Sequence, residues 1–475
     1  MKEFKFLVGG KWKSSKLKEP NINPYTGESI GEVCQADEMD FEEAVISAQE
    51  GFQAMKKLHR FERADLLRRI AQGIQERKKE LSERIAQEAG KPTTFAEVEV
   101  ERSAFVFSLA AEEATRVGGE VIPMDLAPQA IGRYAHTCRF PIGPIAAICP
   151  FNFPLSLAAH KVAPALASGN SIVLKPPPQA PTTALLLGEI ILEGGAPAGA
   201  FNVIPCPNSV AERLATDERF KMLSFTGSPQ VGWHLKNKAG KKKVILELGG
   251  NAGAIVHSDA DLDWATKRLA VGGYYYAGQV CISVQRIYVH EPIYKEFEKQ
   301  YIQEVERLAV GDPMNSKTIV GPMIDDKSAN RVESWVKEAQ REGAQILLGG
   351  KREGQILEPI ILTHVKREMK VNRLEVFGPV TLLQSYRDFE EALVLVNDTE
   401  FGLQAGVFTQ DIRRIYQAFE TIEVGGLMIN DYPTYRIDHM PYGGVKGSGL
   451  GREGVKYALQ EMTEPRLMIM NLATR

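Results

Sequence analysis

At 475 residues the chain exceeds what one hydrophobic core ordinarily organises, so two or three domains are expected. With 44% apolar and 25% charged residues and a formal charge of −3, there is no reason to expect a nucleic-acid or acidic-membrane partner. The 5 cysteines, at 34, 138, 149, 206 and 281, are widely spaced and show no CxxC or Cys/His pairing, which argues against a disulfide framework or a structural metal site and points to a reducing, cytoplasmic compartment.

The first residues run into Gly9-Gly10 without the apolar stretch of a signal peptide. From 39 to about 117 apolar residues recur at three- and four-residue spacing, as in Phe41-Glu-Glu-Ala-Val-Ile and Ala64-Asp-Leu-Leu-Arg-Arg-Ile, which predicts helices. The pattern changes at Gly118-Gly119, after which Glu120-Val-Ile-Pro and Arg133-Tyr-Ala-His-Thr-Cys-Arg read as two strands of an exposed arm. The long uncharged stretch 141–160 is interrupted by Pro144, Pro150, Asn152 and Pro154 too often for a lipid-buried helix.

Strand–helix alternation follows. Ile145-Ala-Ala-Ile-Cys, Ser171-Ile-Val-Leu, Phe201-Asn-Val-Ile, Met222-Leu-Ser-Phe and Val244-Ile-Leu-Glu-Leu are apolar runs suited to burial on both faces of a parallel sheet. Lys241-Lys242-Lys243 reads as a solvated loop before the last of them. A second series has Gly253-Ala-Ile-Val, Gln285-Arg-Ile-Tyr-Val, Gln345-Ile-Leu-Leu and Val380-Thr-Leu-Leu as strands, with helices at 329–342 and 388–397. The final run, Arg466-Leu-Met-Ile-Met, should pair with another sheet edge.

Three residues in Gly- or Pro-punctuated segments carry the chemistry. Cys281, in Ala-Gly-Gln-Val-Cys-Ile-Ser, supplies a thiol nucleophile. Asn152, in Pro-Phe-Asn-Phe-Pro, offers an amide that can act with the Cys281 N–H on an oxyanion. Glu247, in Leu-Glu-Leu-Gly-Gly, is a carboxylate on an apolar strand, whose burial would raise its pKa and suit it to take a proton from water. The literal GxGxxG, Gly449-Leu-Gly451-Arg-Glu-Gly454, lies too near the C-terminus for a following βαβ unit. Better phosphate candidates are Gly227 and Ser228 in Phe-Thr-Gly-Ser-Pro229, at a strand-to-helix turn, and Lys175 at the end of a neighbouring strand.

In order and spacing, Pro-Phe-Asn152-Phe-Pro, Leu-Lys175-Pro, Phe-Thr-Gly227-Ser, Glu247-Leu-Gly-Gly, Gly-Gln-Val-Cys281, Glu375-Val-Phe-Gly-Pro and Pro441-Tyr-Gly-Gly-Val-Lys-Gly-Ser-Gly resemble the NAD(P)-dependent aldehyde dehydrogenase superfamily. The resemblance covers nearly the whole chain. It implies an α/β fold of two doubly wound α/β domains plus a small β oligomerisation arm. The nucleotide-binding domain would span 1–119 and 142–249, the catalytic domain 250–449, and the arm 120–141 and 450–475.

It further implies Cys281 as nucleophile, Asn152 as oxyanion donor and Glu247 as deacylation base. Lys175 would meet the adenosine ribose, Ser228 the pyrophosphate and Glu375 the nicotinamide ribose, with Phe377 beside the ring; Gly227 and Pro150 would also belong to the cofactor site. Glu453 matches a carboxylate on the water route. The cofactor would be NAD or NADP, and the assembly a homodimer or homotetramer. NAD-preferring members often carry Glu three residues beyond the strand-end Lys; Pro178 stands there, so tolerance of NADP is expected.

The residues around Cys281 and 436–444 look most like members acting on lactaldehyde, glyceraldehyde or short semialdehydes. Arg436, Arg286, His439, Arg102 and His160 are candidates for an anion site in the substrate mouth. Glu247 favours water over coenzyme A as acyl acceptor, against a coenzyme A-acylating semialdehyde dehydrogenase. A catalytically silent binding protein of the same fold would not need Cys281, Glu247, Asn152 and Lys175 together.

Overall fold

Asp37 begins the first long helix, Glu38–Met55, by accepting from the backbone N–H groups of Met39 and Asp40. The helical stretch then breaks into Arg60–Glu76, Lys78–Ala89 and Thr93–Arg116. Gly90 ends Lys78–Ala89 in a left-handed conformation (φ 65°), and Pro92 follows before the chain re-enters helix. The computed structural model describes residues 2–472; residue 1 and residues 473–475, at the outer ends of the expected nucleotide-binding and arm segments, lie outside the described residues.

The first sheet has eight strands in the order Gly449–Leu450, Lys243–Glu247, Met222–Thr226, Ile145–Ile148, Ile172–Lys175, Phe201–Val203, Phe6–Val8, Lys11–Lys13. The five strands from Lys243–Glu247 to Phe201–Val203 run parallel, and the others join antiparallel. From Ile145–Ile148 the chain builds outward in one direction through Ile172–Lys175 and Phe201–Val203, then returns to its other side with Met222–Thr226. That reversal opens a crevice at the carboxyl ends of these two strands. Asn152 and Ser228 follow those strands directly. The near-C-terminal GxGxxG supplies Gly449–Leu450, an edge strand of this sheet.

The second sheet runs Gln345–Leu348, Ile360–Thr363, Val380–Tyr386, Val284–His290, Ala252–Val256, Gln404–Phe408, Gly426–Ile429, parallel except at Gln345–Leu348. A third, three-stranded sheet pairs Arg133–Pro141 with Val121–Ile122 on one side and Thr463–Asn471 on the other. The Thr463–Asn471 pairing is unbroken from Thr463 opposite Pro141 to Asn471 opposite Arg133, and Leu467, Met468 and Ile469 stay exposed. No helix among the described residues is long and apolar enough to cross a membrane.

Candidate active site

The carboxyl edge of the first sheet faces the amino edge of the second across a cavity of about 590 Å³. Asn152 and Glu247 line it from the first sheet; Cys281, Glu375 and Phe377 line it from loops that lead into Val284–His290 and Val380–Tyr386. The turn that delivers the cysteine is strained. Tyr276 and Ala277 both adopt left-handed φ (53° and 54°) ahead of Gly278 (φ 64°), at a cost on the order of 1–3 kcal/mol for each non-glycine residue. It is tied down where the Tyr276 hydroxyl donates to Ala89 O at 2.8 Å and Gln279 Oε1 accepts from Ile324 N at 2.9 Å.

Asn152 Nδ2 donates to Gln279 O at 3.0 Å, which holds the amide beside the cysteine turn, while its Oδ1 is buried without a partner. Both carboxyl oxygens of Glu247 are likewise buried and unpartnered. Burial, reinforced by the nearby Glu453 charge, raises the Glu247 pKa well above the usual carboxyl range. Burial alone would push Glu453 the same way, but Lys161 (2.7 Å) and Arg436 (3.3 Å) outweigh it and hold that carboxyl low. Two carboxylates thus sit in one site with their pKa values driven apart.

A Cβ on Gly249 would lie 2.3 Å from the Glu375 carboxylate, and one on Gly250 would lie 2.2 Å from Cys281 O. The pair therefore lets Glu375 and the cysteine turn close onto the Glu247 strand. Gly250 N donates to Glu375 Oε1 at 3.0 Å, yet burial still pushes the Glu375 pKa up to about 7.

A profile of the aldehyde dehydrogenase family matches residues 12–468. The chain belongs to the aldehyde dehydrogenase family. It is similar to the 3-sulfolactaldehyde dehydrogenase of Priestia aryabhattai, 46% identical over 473 residues that cover 99% of each chain. The crystal structure of aldehyde dehydrogenase 21 from Physcomitrella patens, in complex with the reaction product succinate, matches with a TM-score of 0.97 at 42% identity, covering 99% of this chain and 98% of that one. The glyceraldehyde-3-phosphate dehydrogenase of Methanocaldococcus jannaschii complexed with NADP matches with a TM-score of 0.93 at 41% identity, covering 96% of this chain and all of that one (100%). The protein is an NAD(P)-dependent enzyme of the α/β aldehyde dehydrogenase fold.

The residues present fit a dinucleotide. Ser228 caps Pro229–Lys238 without using its side chain on the helix, Pro229 occupies the first turn, and Gly227, Ser228 and Pro229 line the cavity, so the hydroxyl and helix N–H groups are available to phosphate. Pro150 and Phe377 line it too; Phe377 has a left-handed φ of 45° and packs edge-on against Phe151 at 6.0 Å. Lys175 is buried at its strand end, outside the cavity wall, and its ammonium has no hydrogen bond or ion pair among the described residues, leaving it lowered by burial.

The anion candidates separate. Arg436 and Arg102 line the cavity. Arg102 Nη2 and Nε donate to Asp438 at 2.6 and 3.1 Å. His160 lies behind them, buried outside the cavity wall, with Nε2 3.0 Å from Asp438 Oδ1; it backs the site rather than entering it. His439 is exposed and is not among the residues that line the cavity. Arg286 is corrected outright. It is 2% exposed, and its guanidinium donates to Asn251 O and Oδ1, Leu395 O, Val396 O and Tyr288 Oη, binding loops of the second sheet together.

Sequence reasoning missed Lys161, Tyr275, Arg331 and the hydroxyl of Tyr442. A signal existed for Lys161, a charge inside the apolar helix Ser156–Ala167, and for Tyr275, in the tyrosine run just ahead of the cysteine turn.

Proposed function

We propose that the enzyme oxidises a short aldehyde bearing an anionic tail, a carboxylate or sulfonate, to the corresponding carboxylic acid. The observation that carries this is the charge balance at the inner wall of the cavity. Arg102 and Arg436 line the cavity, and with Lys161 behind its wall they oppose Asp438 and Glu453, three cations against two carboxylates. Arg436 Nε is buried without an acceptor, a donor suited to a ligand oxygen. Succinate as the product bound in one structural relative, and sulfolactaldehyde as the substrate named for another, accord with this class.

Cys281 Sγ attacks the aldehyde carbon, and Asn152 Nδ2 with the Cys281 N–H receives the oxyanion. Bound NAD(P) would supply the acceptor for the hydride leaving that carbon. Glu375 and Phe377 would orient the ring end of the cofactor, and Ser228 and Lys175 would hold its far parts. The acyl group is left as a thioester on Cys281. Glu247, made basic by burial, takes a proton from water, which releases the acid; this favours hydrolysis over transfer to coenzyme A.

Pro178, exposed beyond Lys175, puts no carboxylate against a 2′-phosphate, so NADP is accepted. The exposed arm strand Thr463–Asn471 suits a homodimer or homotetramer. The chain's free cysteines suit the cytoplasm. The test is steady-state kinetics with succinic semialdehyde, sulfolactaldehyde, lactaldehyde and butanal, using each cofactor. Anionic aldehydes should lead by about 10-fold or more in kcat/KM. Equal rates with butanal overturn the anionic class, and strict exclusion of NADP overturns the reading of Pro178.

A further inference from the structure

Cys281 Sγ has one hydrogen-bond partner among the described residues, the hydroxyl of Tyr442 at 3.1 Å. The tyrosine is held there from several sides. Its ring is 3% exposed, and its backbone exchanges hydrogen bonds with Glu453 (N to Glu453 O at 3.1 Å, O from Glu453 N at 2.7 Å). Gly443 follows at φ 154°, where a Cβ would stand 2.7 Å from Glu247 Oε1, so the chain passes close beneath the Glu247 carboxylate. The Arg436 guanidinium lies over the ring with its carbon 3.7 Å from the centroid. A cation on that face draws electron density from the phenol and strengthens its O–H as a donor.

We propose that Tyr442 is a catalytic residue, whose hydroxyl donates a hydrogen bond to the Cys281 thiolate both before attack and when the sulfur leaves. This rests on the reading of Cys281 as nucleophile. The thiol proton is lost to solvent before the aldehyde enters, and Tyr442 keeps its own proton throughout. The C–S bond then forms, and the hydride and its electron pair leave for the bound nicotinamide cofactor. Water attacks the thioester with Glu247 taking its proton. The C–S bond breaks, and the electron pair returns to sulfur under the same hydroxyl.

The groups facing the sulfur divide in sign. Burial raises the thiol to about 12; Tyr442 and Arg436 work against that rise, whereas the Glu375 and Glu247 carboxylates add to it, with Tyr275 also nearby. A buried sulfur facing two acidic side chains needs a fixed donor once it is ionised, and among the described residues the phenol is its hydrogen-bond partner.

The experiment is Tyr442→Phe, which keeps the ring under Arg436 and removes one hydroxyl. Alkylation of Cys281 by iodoacetamide is followed against pH without cofactor, alongside the pre-steady-state burst of reduced nicotinamide. At neutral pH we expect alkylation to slow about 10-fold with its midpoint about one pH unit higher, and the burst to slow ~10- to 100-fold. KM for aldehyde and cofactor and the melting temperature should stay near native. An alkylation profile that overlays the native one overturns the proposal. Cys281→Ser is run in parallel. Full turnover in that variant overturns the nucleophile reading instead, whereas a dead Cys281→Ser with native alkylation in Tyr442→Phe overturns the tyrosine's role alone.

Discussion

The two large sheets meet the cavity at opposite ends. The first presents its carboxyl edge, where Asn152, Ser228 and Glu247 end or follow parallel strands. The second presents its amino edge, with Cys281 three residues ahead of Val284–His290 and Phe377 the same distance ahead of Val380–Tyr386. Its own carboxyl edge, where a ligand crevice would be expected, is filled by rings instead. His257 and His290 stack at 4.3 Å, Tyr386 stacks on both, and Phe389 packs edge-on to His257 at 5.7 Å. Here the two parallel sheets share one site because the second departs from the usual carboxyl-edge rule.

The largest effect that tests this division is Cys281→Ala, expected to lower kcat/KM by ~10⁴-fold or more while leaving cofactor binding intact. Next, Glu247→Gln should lower turnover by ~10²- to 10³-fold yet preserve a burst of reduced nicotinamide, because the base acts after the hydride has left. The two arginines should separate next. Arg102→Gln should raise KM for succinic semialdehyde by ~10-fold with KM for butanal unchanged, whereas Arg286→Ala should leave both KM values alone and lower stability by on the order of 3 kcal/mol, read by urea unfolding, since buried carbonyls lose their donor.

Glu375 gives a pH signature. With its pKa near 7, the carboxylate is an acceptor above that value and is lost below it, so KM for cofactor should rise as pH falls through 7, and Glu375→Gln should flatten the dependence. For stability the sign is opposite. A carboxyl pKa raised on folding favours the fold in acid, and that contribution is lost as pH rises from about 4.5 to about 7. The smallest kinetic effect should come from the far edge of the second sheet. His257→Ala should change kcat/KM by less than about 2-fold and lower the melting temperature by a few degrees.

Apolar strand runs, proline punctuation and ordered motifs made the two α/β layers, the arm strand and the convergence of Cys281, Asn152 and Glu247 on one cavity legible in the sequence. Less legible were strands whose sequence contradicts their burial. Gln404–Phe408 carries a glutamine and a glycine, yet the strand is fully buried: Gln404 Nε2 donates to the carbonyls of Pro433 and Tyr435, while its Oε1 is buried without a partner. The short amino-terminal strands Phe6–Val8 and Lys11–Lys13 close the far edge of the first sheet by antiparallel pairing that no local pattern announces. Arg286 misled for a related reason. Nearness to Cys281 in sequence says nothing of direction, and five residues along, in a strand leading away from the cavity, the side chain belongs to the sheet's interior.

The most direct measurement is mass spectrometry of Glu247→Gln quenched during turnover with an anionic aldehyde and NADP. We expect the acyl mass on the peptide bearing Cys281, accumulating to nearly one per chain and absent without cofactor. An unmodified Cys281 peptide during active turnover, or an adduct carried by another cysteine, would contradict a covalent reaction assembled between the two sheets.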